Sequence, residues 1–276
     1  MPSFERYNDD YCRGDQTHVL PTAAERAARV EVALFVTCLT DTLYPRVGEA
    51  VVRVLRHFGC QVTFPADQTC CGQPAYNSGF HAEAAALARR MIPIFQPYEH
   101  VVTPSASCAA MVQRHFPELV SNDEALSQAA DELGQKTREF TSFLQGTLNV
   151  DIASHLRFDE PVTFHYPCHA REIYRPSDLS RLLSSSPGAD VRDPQQIDLC
   201  CGFGGMFAVD FPQVSGAMMN DRLDDLSATG ARLVVCNEGG CSLNLAGGAH
   251  RRDLPLRFKH VAECLAESLG LMEPVS

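Results

Sequence analysis

No stretch of this chain is apolar over the ~18 residues that a membrane-spanning helix needs, and its first residues, Met1-Pro2-Ser3-Phe4-Glu5-Arg6, carry no basic-then-apolar signal. Both absences point to the cytoplasm without direct membrane insertion, a compartment where structural disulfides are rare. Basic clusters are missing too. Lys and Arg number 23 against 34 Asp and Glu, a net charge of −11, which argues against nucleic acid as a partner and suits simple solubility. No G-x-G-x-x-G follows the first strand signal, so neither a nicotinamide cofactor nor a flavin bound in that style is expected. Gly202-Phe203-Gly204-Gly205 lacks the spacing and the lysine of a phosphate loop.

What the chain does have is cysteine, twelve in 276 residues. Eight of them fall into two copies of one pattern. The first is Cys38, Cys70-Cys71-Gly72 and Cys108; the second is Cys168, Cys200-Cys201-Gly202 and Cys241. The step from the first cysteine to the pair is 32 in both copies, and the last step is 37 in one and 40 in the other. That difference is the size of a loop insertion. The chain therefore reads as a duplicated sulfur-ligand module.

Strand and helix signals alternate around these residues. Val32-Ala33-Leu34-Phe35-Val36 reads as a buried strand delivering Cys38. Val47, Val51, Val54, Leu55 and Phe58 share one helical face, which Gly59 ends. Val62-Thr63-Phe64 and Val101-Val102-Thr103 are further strands, with a helix over 81–95 between them. The segment from about 123 to 146 reads as one long amphipathic helix. The second half repeats the order with Val162-Thr163-Phe164-His165, Leu233-Val234-Val235 and a C-terminal helix carrying Val261, Cys264, Leu265 and Leu269. Leu254 to Phe258 adds an edge strand, since Pro255 suits a strand start. The expected fold is α/β, with two repeated doubly wound parallel-sheet halves related by a pseudo-two-fold and cysteine loops at the strand C-terminal ends. The expected organisation is a mobile extension over 1–29, a first half over 30–122, a helical linker over 123–158 and a second half over 159–276.

Buried hydrophobic cysteine accounts for Cys264 and Cys60. It accounts poorly for the repeated eight, which stand beside glycine and proline in loops. A bridge between adjacent Cys70 and Cys71 would be strained. Four thiolates brought together by three loops can instead ligate a [4Fe–4S] cluster or grip zinc. A glycine after each cysteine pair permits the tight turn that such convergence requires. The short C-x₂₋₄-C knuckles usual for structural zinc are missing from the repeats, which favours iron–sulfur. Cys236 and Cys241 still permit a local pair.

These segments resemble the cysteine-rich CCG-domain proteins, in particular the lactate-utilisation A family of iron–sulfur oxidoreductase subunits. The resemblance rests on Cys70-Cys71-Gly72-Gln73-Pro74, Pro104-Ser105-Ala106-Ser107-Cys108, His165-Tyr166-Pro167-Cys168-His169, Cys200-Cys201-Gly202-Phe203-Gly204-Gly205, and Gly240-Cys241 with Asn244 following. It implies one or two clusters on the eight cysteines. It also implies electron transfer in oxidation of L-lactate to pyruvate, with a ferredoxin-like iron–sulfur subunit and a third subunit as partners. More distant relatives include the cysteine-rich subunit of heterodisulfide reductase and the glycolate oxidase iron–sulfur subunit, so a thiol/disulfide redox subunit is an alternative. A zinc-stabilised assembly subunit is another. The heterodisulfide type ends each repeat in C-x-x-C; here Ser105 and Glu238 occupy those positions, which favours four thiolates per site. His165 and His169 flank Cys168. One of them is a candidate proton carrier, or both serve to hold backbone around the loop and set thiolate geometry or potential.

Overall fold

The computed structural model describes residues 30–173 and 177–274. The extension expected over 1–29 lies outside the described residues. Four short strands open the chain as one all-parallel sheet: β1 (Glu31–Leu34), β2 (Gln61–Thr63), β3 (His100–Thr103) and β4 (Thr137–Glu139), in the order β2-β1-β3-β4. A second parallel sheet holds β5 (Val162–Phe164), β6 (Leu233–Cys236) and β7 (Arg257–His260), in the order β5-β6-β7. A parallel bridge from Val191 to Val162 adds a fourth position beside β5, where β2 stands beside β1. Central strands are covered on both faces, which is why Val32 to Leu34 and Leu233 to Cys236 are apolar throughout and buried.

Helices follow the strands as parallel connection demands. The principal ones are α1 (Cys38–Leu43), α2 (Pro45–His57), α3 (His81–Phe95), α4 (Ala106–Ala110), α5 (Glu124–Lys136), α6 (Pro212–Ala228), α7 (Gly239–Arg251) and α8 (Val261–Ser268). Val47, Val51, Val54 and Leu55 bury the core face of α2, and Gly59 at φ 85° ends that segment. The chain from Glu31 onward is one unit, because α2 packs on α8. Arg46 meets Glu263 and Glu267, at 3.4 and 3.1 Å. Among the described residues no helix is long and apolar enough to cross a membrane.

One element departs from the sequence reading. The continuous helix expected over 123–146 stops at Lys136, and Thr137 to Glu139 enter the sheet beside β3 before helical turns resume at Phe140. The cause is tertiary. Thr137 Oγ1 donates back to the Leu133 carbonyl at 2.7 Å, ending α5, while the buried Glu139 carboxylate accepts from the Thr141 and Ser142 backbone N–H groups and restarts the helix. Strand pairing to Val101–Thr103 overrides helical propensity there. The final edge strand begins at Arg257, two residues after Pro255.

Candidate metal centre

The cysteine pairs are turned by the same device in each half, while the first cysteine is reached differently. Cys168 follows Pro167 in ordinary extended backbone, at φ −63° and ψ 140°, and Cys38 follows a strained residue. β1 ends at Leu34, and Thr37 then turns the chain with φ 72° and ψ 149°, a region that side chains other than glycine rarely adopt. Such strain costs about 1–3 kcal/mol and persists only where its surroundings impose it. Here they do. The Gln68 side chain accepts from Val36 N–H at 3.0 Å and donates to the Leu34 carbonyl at 3.0 Å, clamping the strand end to the segment leading into Cys70. Cys38 is thus the first residue of α1. Gly72 and Gly202, at φ 85° and 78°, make the turns after the two cysteine pairs. Each glycine N–H donates to the sulfur two residues earlier, Cys70 and Cys200, at 3.4 Å. Gly202 is also packed closely: a Cβ there would stand 2.4 Å from the Ser215 carbonyl oxygen. Asn244 donates to the Cys201 carbonyl at 2.7 Å and fixes that loop from α7.

The structure brings all four predicted sulfurs of each set together. Cys38 Sγ–H donates to Cys70 Sγ at 3.6 Å, and Cys71 Sγ–H to Cys108 Sγ at 3.2 Å. In the second set Cys201 Sγ–H donates to Cys241 Sγ at 3.0 Å, and Cys168 hydrogen-bonds Cys200. The eleven cysteines among the described residues are all free thiols. Both sets line one cavity of about 170 Å³, together with His169, Ser105 and Glu238. Cys60 and Cys264 are buried elsewhere, and burial pushes their thiols up to about 11 and about 12. Cys236 is buried in the same apolar cluster as Cys201 and Cys241 but does not line the cavity.

Proton sharing within each set is uneven. Hydrogen bonds from Cys38 and Cys71 hold Cys70 down at about 3, and those from Cys168 and Cys201 hold Cys200 at about 2. Their donors shift the opposite way: Cys38, Cys71, Cys168 and Cys201 are raised, first by those hydrogen bonds and then by burial. Each set therefore holds one thiolate beside two thiols that donate to it, protons that metal binding would displace. The donor set fits a metal or an iron–sulfur cluster, which would be held by Cys38, Cys70, Cys71 and Cys108 and by Cys168, Cys200, Cys201 and Cys241.

Ser105 and Glu238, where a fifth thiolate would stand, meet each other. Ser105 Oγ–H donates to the Glu238 carboxylate at 2.8 Å, and the Ser107 N–H donates to the same oxygen at 2.9 Å. Each also caps the helix that carries its own half's last cysteine: Ser105 accepts from Cys108 N–H, and Glu238 from Gly240 N–H. The two histidine candidates separate. His169 lines the cavity, with Nδ1 3.6 Å from Cys168 Sγ. His165 is fully buried at the end of β5, and burial with the nearby Arg222 cation pushes it down to about 3. That ring stays neutral near pH 7, so it lacks the titration expected of a proton carrier. Sequence reasoning missed Gln68, Arg222 and Asp225. Arg222 in particular sits in an Asp-rich run, Asp221 to Asp225, that reads as a solvated helix face.

The cysteine-rich CCG domain model matches twice, over residues 32–113 and 162–246. A protein named Lactate utilization protein A from Exiguobacterium sp. is 40% identical over 242 residues, covering 86% of this chain and 98% of that protein. Lactate utilization protein A 2 from Bacillus cereus is 38% identical over 243 residues, 87% of this chain and 100% of its own length, and one from Bacillus anthracis matches to the same extent. A solute-binding protein of an ABC transporter system from Conexibacter woesei covers 87% of this chain and 73% of its own, at 14% identity and a TM-score of 0.25, too low to bear on the fold.

Proposed function

We propose that this chain, which belongs to the cysteine-rich CCG-domain family of the lactate utilization protein A type, binds iron–sulfur clusters at its two cysteine sets and relays electrons in the oxidation of L-lactate to pyruvate. The observation that carries this reading is the convergence of eight cysteines from two repeats onto one cavity. Two sites facing one space suit electron exchange between them, whereas structural metal sites are closed and isolated. When bound, an iron–sulfur cluster supplies one-electron transfer. Lactate oxidation releases two electrons and two protons, and no flavin or nicotinamide fingerprint offers a hydride acceptor in this chain. The chain is then one subunit of a cytoplasmic complex, working with a ferredoxin-like iron–sulfur subunit and a third subunit. Its residues hold the thiolates, turn the loops at Gly72 and Gly202, and keep Cys70 and Cys200 ionised.

One observation favours zinc as a second reading. The sulfur separations of 3.0 to 3.6 Å are near the roughly 3.8 Å edge of a tetrahedron with metal–sulfur bonds of about 2.3 Å. Against it stands the cavity, far larger than the space a single ion on each set would fill. Anaerobic purification with iron, acid-labile sulfide and zinc analysis separates the two. A brown protein bleached by dithionite supports relay; a colourless one with stoichiometric zinc and no sulfide supports scaffolding. Robust NAD-linked lactate oxidation by the isolated chain would sink the relay reading outright.

A further inference from the structure

We propose that His165 donates a hydrogen bond from Nε2 to the sulfur of the second cysteine set, held in that role by Arg222, and that this makes the second site the one of higher reduction potential. The inference rests on metal binding at the cysteine sets. Its first support is the tautomer. Arg222 Nε–H donates to His165 Nδ1 at 3.0 Å. A guanidinium has no lone pair to return, so Nδ1 must be the acceptor and the ring proton sits on Nε2. That Nε2 is buried and has no hydrogen-bond partner among the described residues. A ring nitrogen of His165 lies within 4.8 Å of the sulfurs of Cys201 and Cys241. With Nδ1 engaged by Arg222, Nε2 is the nitrogen left with a proton to give. Buried N–H groups without partners are rare, and each calls for an explanation. A metal-bound sulfur is an acceptor of the right kind.

Arg222 is locked in place to do this. Nη1 donates to the Asp225 carboxylate and to the Gln196 carbonyl, both at 2.8 Å, and Nη2 to the Phe164 carbonyl at 2.9 Å. Asp225 in turn accepts from the Gln195 and Gln196 N–H groups, at 3.0 and 3.3 Å. A continuous chain of hydrogen bonds thus runs from the segment before Cys200 through Asp225 and Arg222 to His165. Arg222 is a positioning residue; it reaches the sulfurs only through the histidine.

The first half lacks this device. His165 N–H donates to Val235 O at 3.0 Å, and Phe35 N–H donates to Val102 O at 2.8 Å, so Phe35 stands at the equivalent place. Its ring packs on Phe95, with centroids 5.5 Å apart, and offers no donor. At the buried cysteines the sets are alike: Cys71 and Cys201 are 2% and 3% exposed, Cys108 and Cys241 8% and 6%. They differ at the first cysteine, where Cys38 is exposed and Cys168 half-buried, and a variant at His165 leaves that difference untouched. Hydrogen bonds to sulfur are among the main determinants of cluster potential. A donor favours the more negative, reduced state, so electrons settle on the second site. The histidine itself gains and loses neither proton nor electron.

The test uses the full chain, loaded anaerobically, with His165→Phe reproducing the first half and His165→Gln keeping an N–H at the same reach. Metal content should be unchanged in both. In a redox titration the higher-potential wave should move toward the lower one in H165F, changing the electron distribution between sites by about tenfold or more, as one hydrogen bond to a charged group implies. H165Q should keep the wave near its wild-type place. Unshifted waves in H165F overturn the proposal, and so does loss of metal from the second set in both variants, which would make His165 a ligand. Nitrogen-15 NMR of the metal-free wild type gives an answer even if a variant fails to fold: a proton on Nε2 is expected, and one on Nδ1 refutes it. Zinc without iron in the wild type would sink the relay reading, and with it the potential difference. The NMR arm would still decide whether His165 is a donor.

Discussion

Replacing Glu238 by alanine removes the carboxylate through which the two halves meet above the cavity. The loss can be worked from its partners. Glu238 accepts from Ser105 Oγ–H at 2.8 Å, from Ser107 N–H at 2.9 Å and from Gly240 N–H at 3.4 Å. Losing a helix cap costs about 1 kcal/mol. Two donors left without an acceptor cost about 1–3 kcal/mol each, toward the low end here because water can enter from the cavity. The expected destabilisation is about 3 kcal/mol in urea unfolding of the metal-free chain. Glu238→Gln retains an acceptor oxygen and should cost about 1 kcal/mol. Ser105→Ala loses both its bond to Glu238 and the cap on Cys108 N–H. Since Ser105 and Glu238 touch, the double variant should be less damaging than the two single losses added, with a coupling of about 1 kcal/mol or more. Additive effects, or an E238A chain within about 0.5 kcal/mol of wild type, would show that the junction is solvated and carries nothing.

Cys71→Ala or Cys201→Ala should lower bound metal, while Cys264→Ala leaves it unchanged; equal metal in all three would refute the ligand assignment. Metal uptake near pH 7 should release at least the protons held by the raised thiols, Cys38 and Cys71 in one set and Cys168 and Cys201 in the other; affinity then rises with pH, and binding without proton release in weakly buffered solution contradicts it. Gly202→Ala should destabilise more than Gly72→Ala, because both disturb a left-handed residue but only the first drives a Cβ to 2.4 Å from a backbone oxygen, against 3.4 Å; equal unfolding midpoints would count against that packing. His260, whose Nε2–H donates to Pro104 O at 2.8 Å while Nδ1 accepts from Ala262 N–H, is held down at about 4 by burial. The unfolded chain protonates first as pH falls from about 6.5 toward 4, so stability declines across that window, by about 2 kcal/mol down to pH 5. Comparing unfolding at pH 7 and pH 5 with His260→Gln, which removes this dependence, tests the sign.

The cysteine repeat, the strands that deliver it and the helices on either side were legible because each is encoded locally. Val32 to Leu34 and Leu233 to Val235 are short apolar runs, and the cysteines follow them within a few residues. β4 was not legible. Thr137-Arg138-Glu139 has no strand pattern, and only pairing with β3 makes it one. The partnership of Ser105 and Glu238 was equally hidden: the sequence marks both as positions without a thiolate, but their contact spans 133 residues. Arg222 was hidden for a different reason. A charged residue among aspartates reads as exposed, and the buried acceptors that hold it, Asp225, His165 and two carbonyls, are assembled only by the fold.

The position three residues before each last cysteine decides two things at once. A thiolate there would extend the ligand set. An oxygen there caps the helix on which the last cysteine rides, because Ser105 and Glu238 are the cap residues of α4 and α7. Sulfur is a weak acceptor, so a cysteine in either place would give up most of that cap and leave the partner side chain without its bond. This chain takes the capping solution in both halves and then joins the two caps to each other. The residues that stand where a fifth sulfur would be are thereby among those that tie the helices of Cys108 and Cys241 to one another. One pair of side chains thus stands where a further sulfur would be and, together with the Ala106 N–H bond to the Asn237 carbonyl and the packing of α2 on α8, ties the two halves to each other.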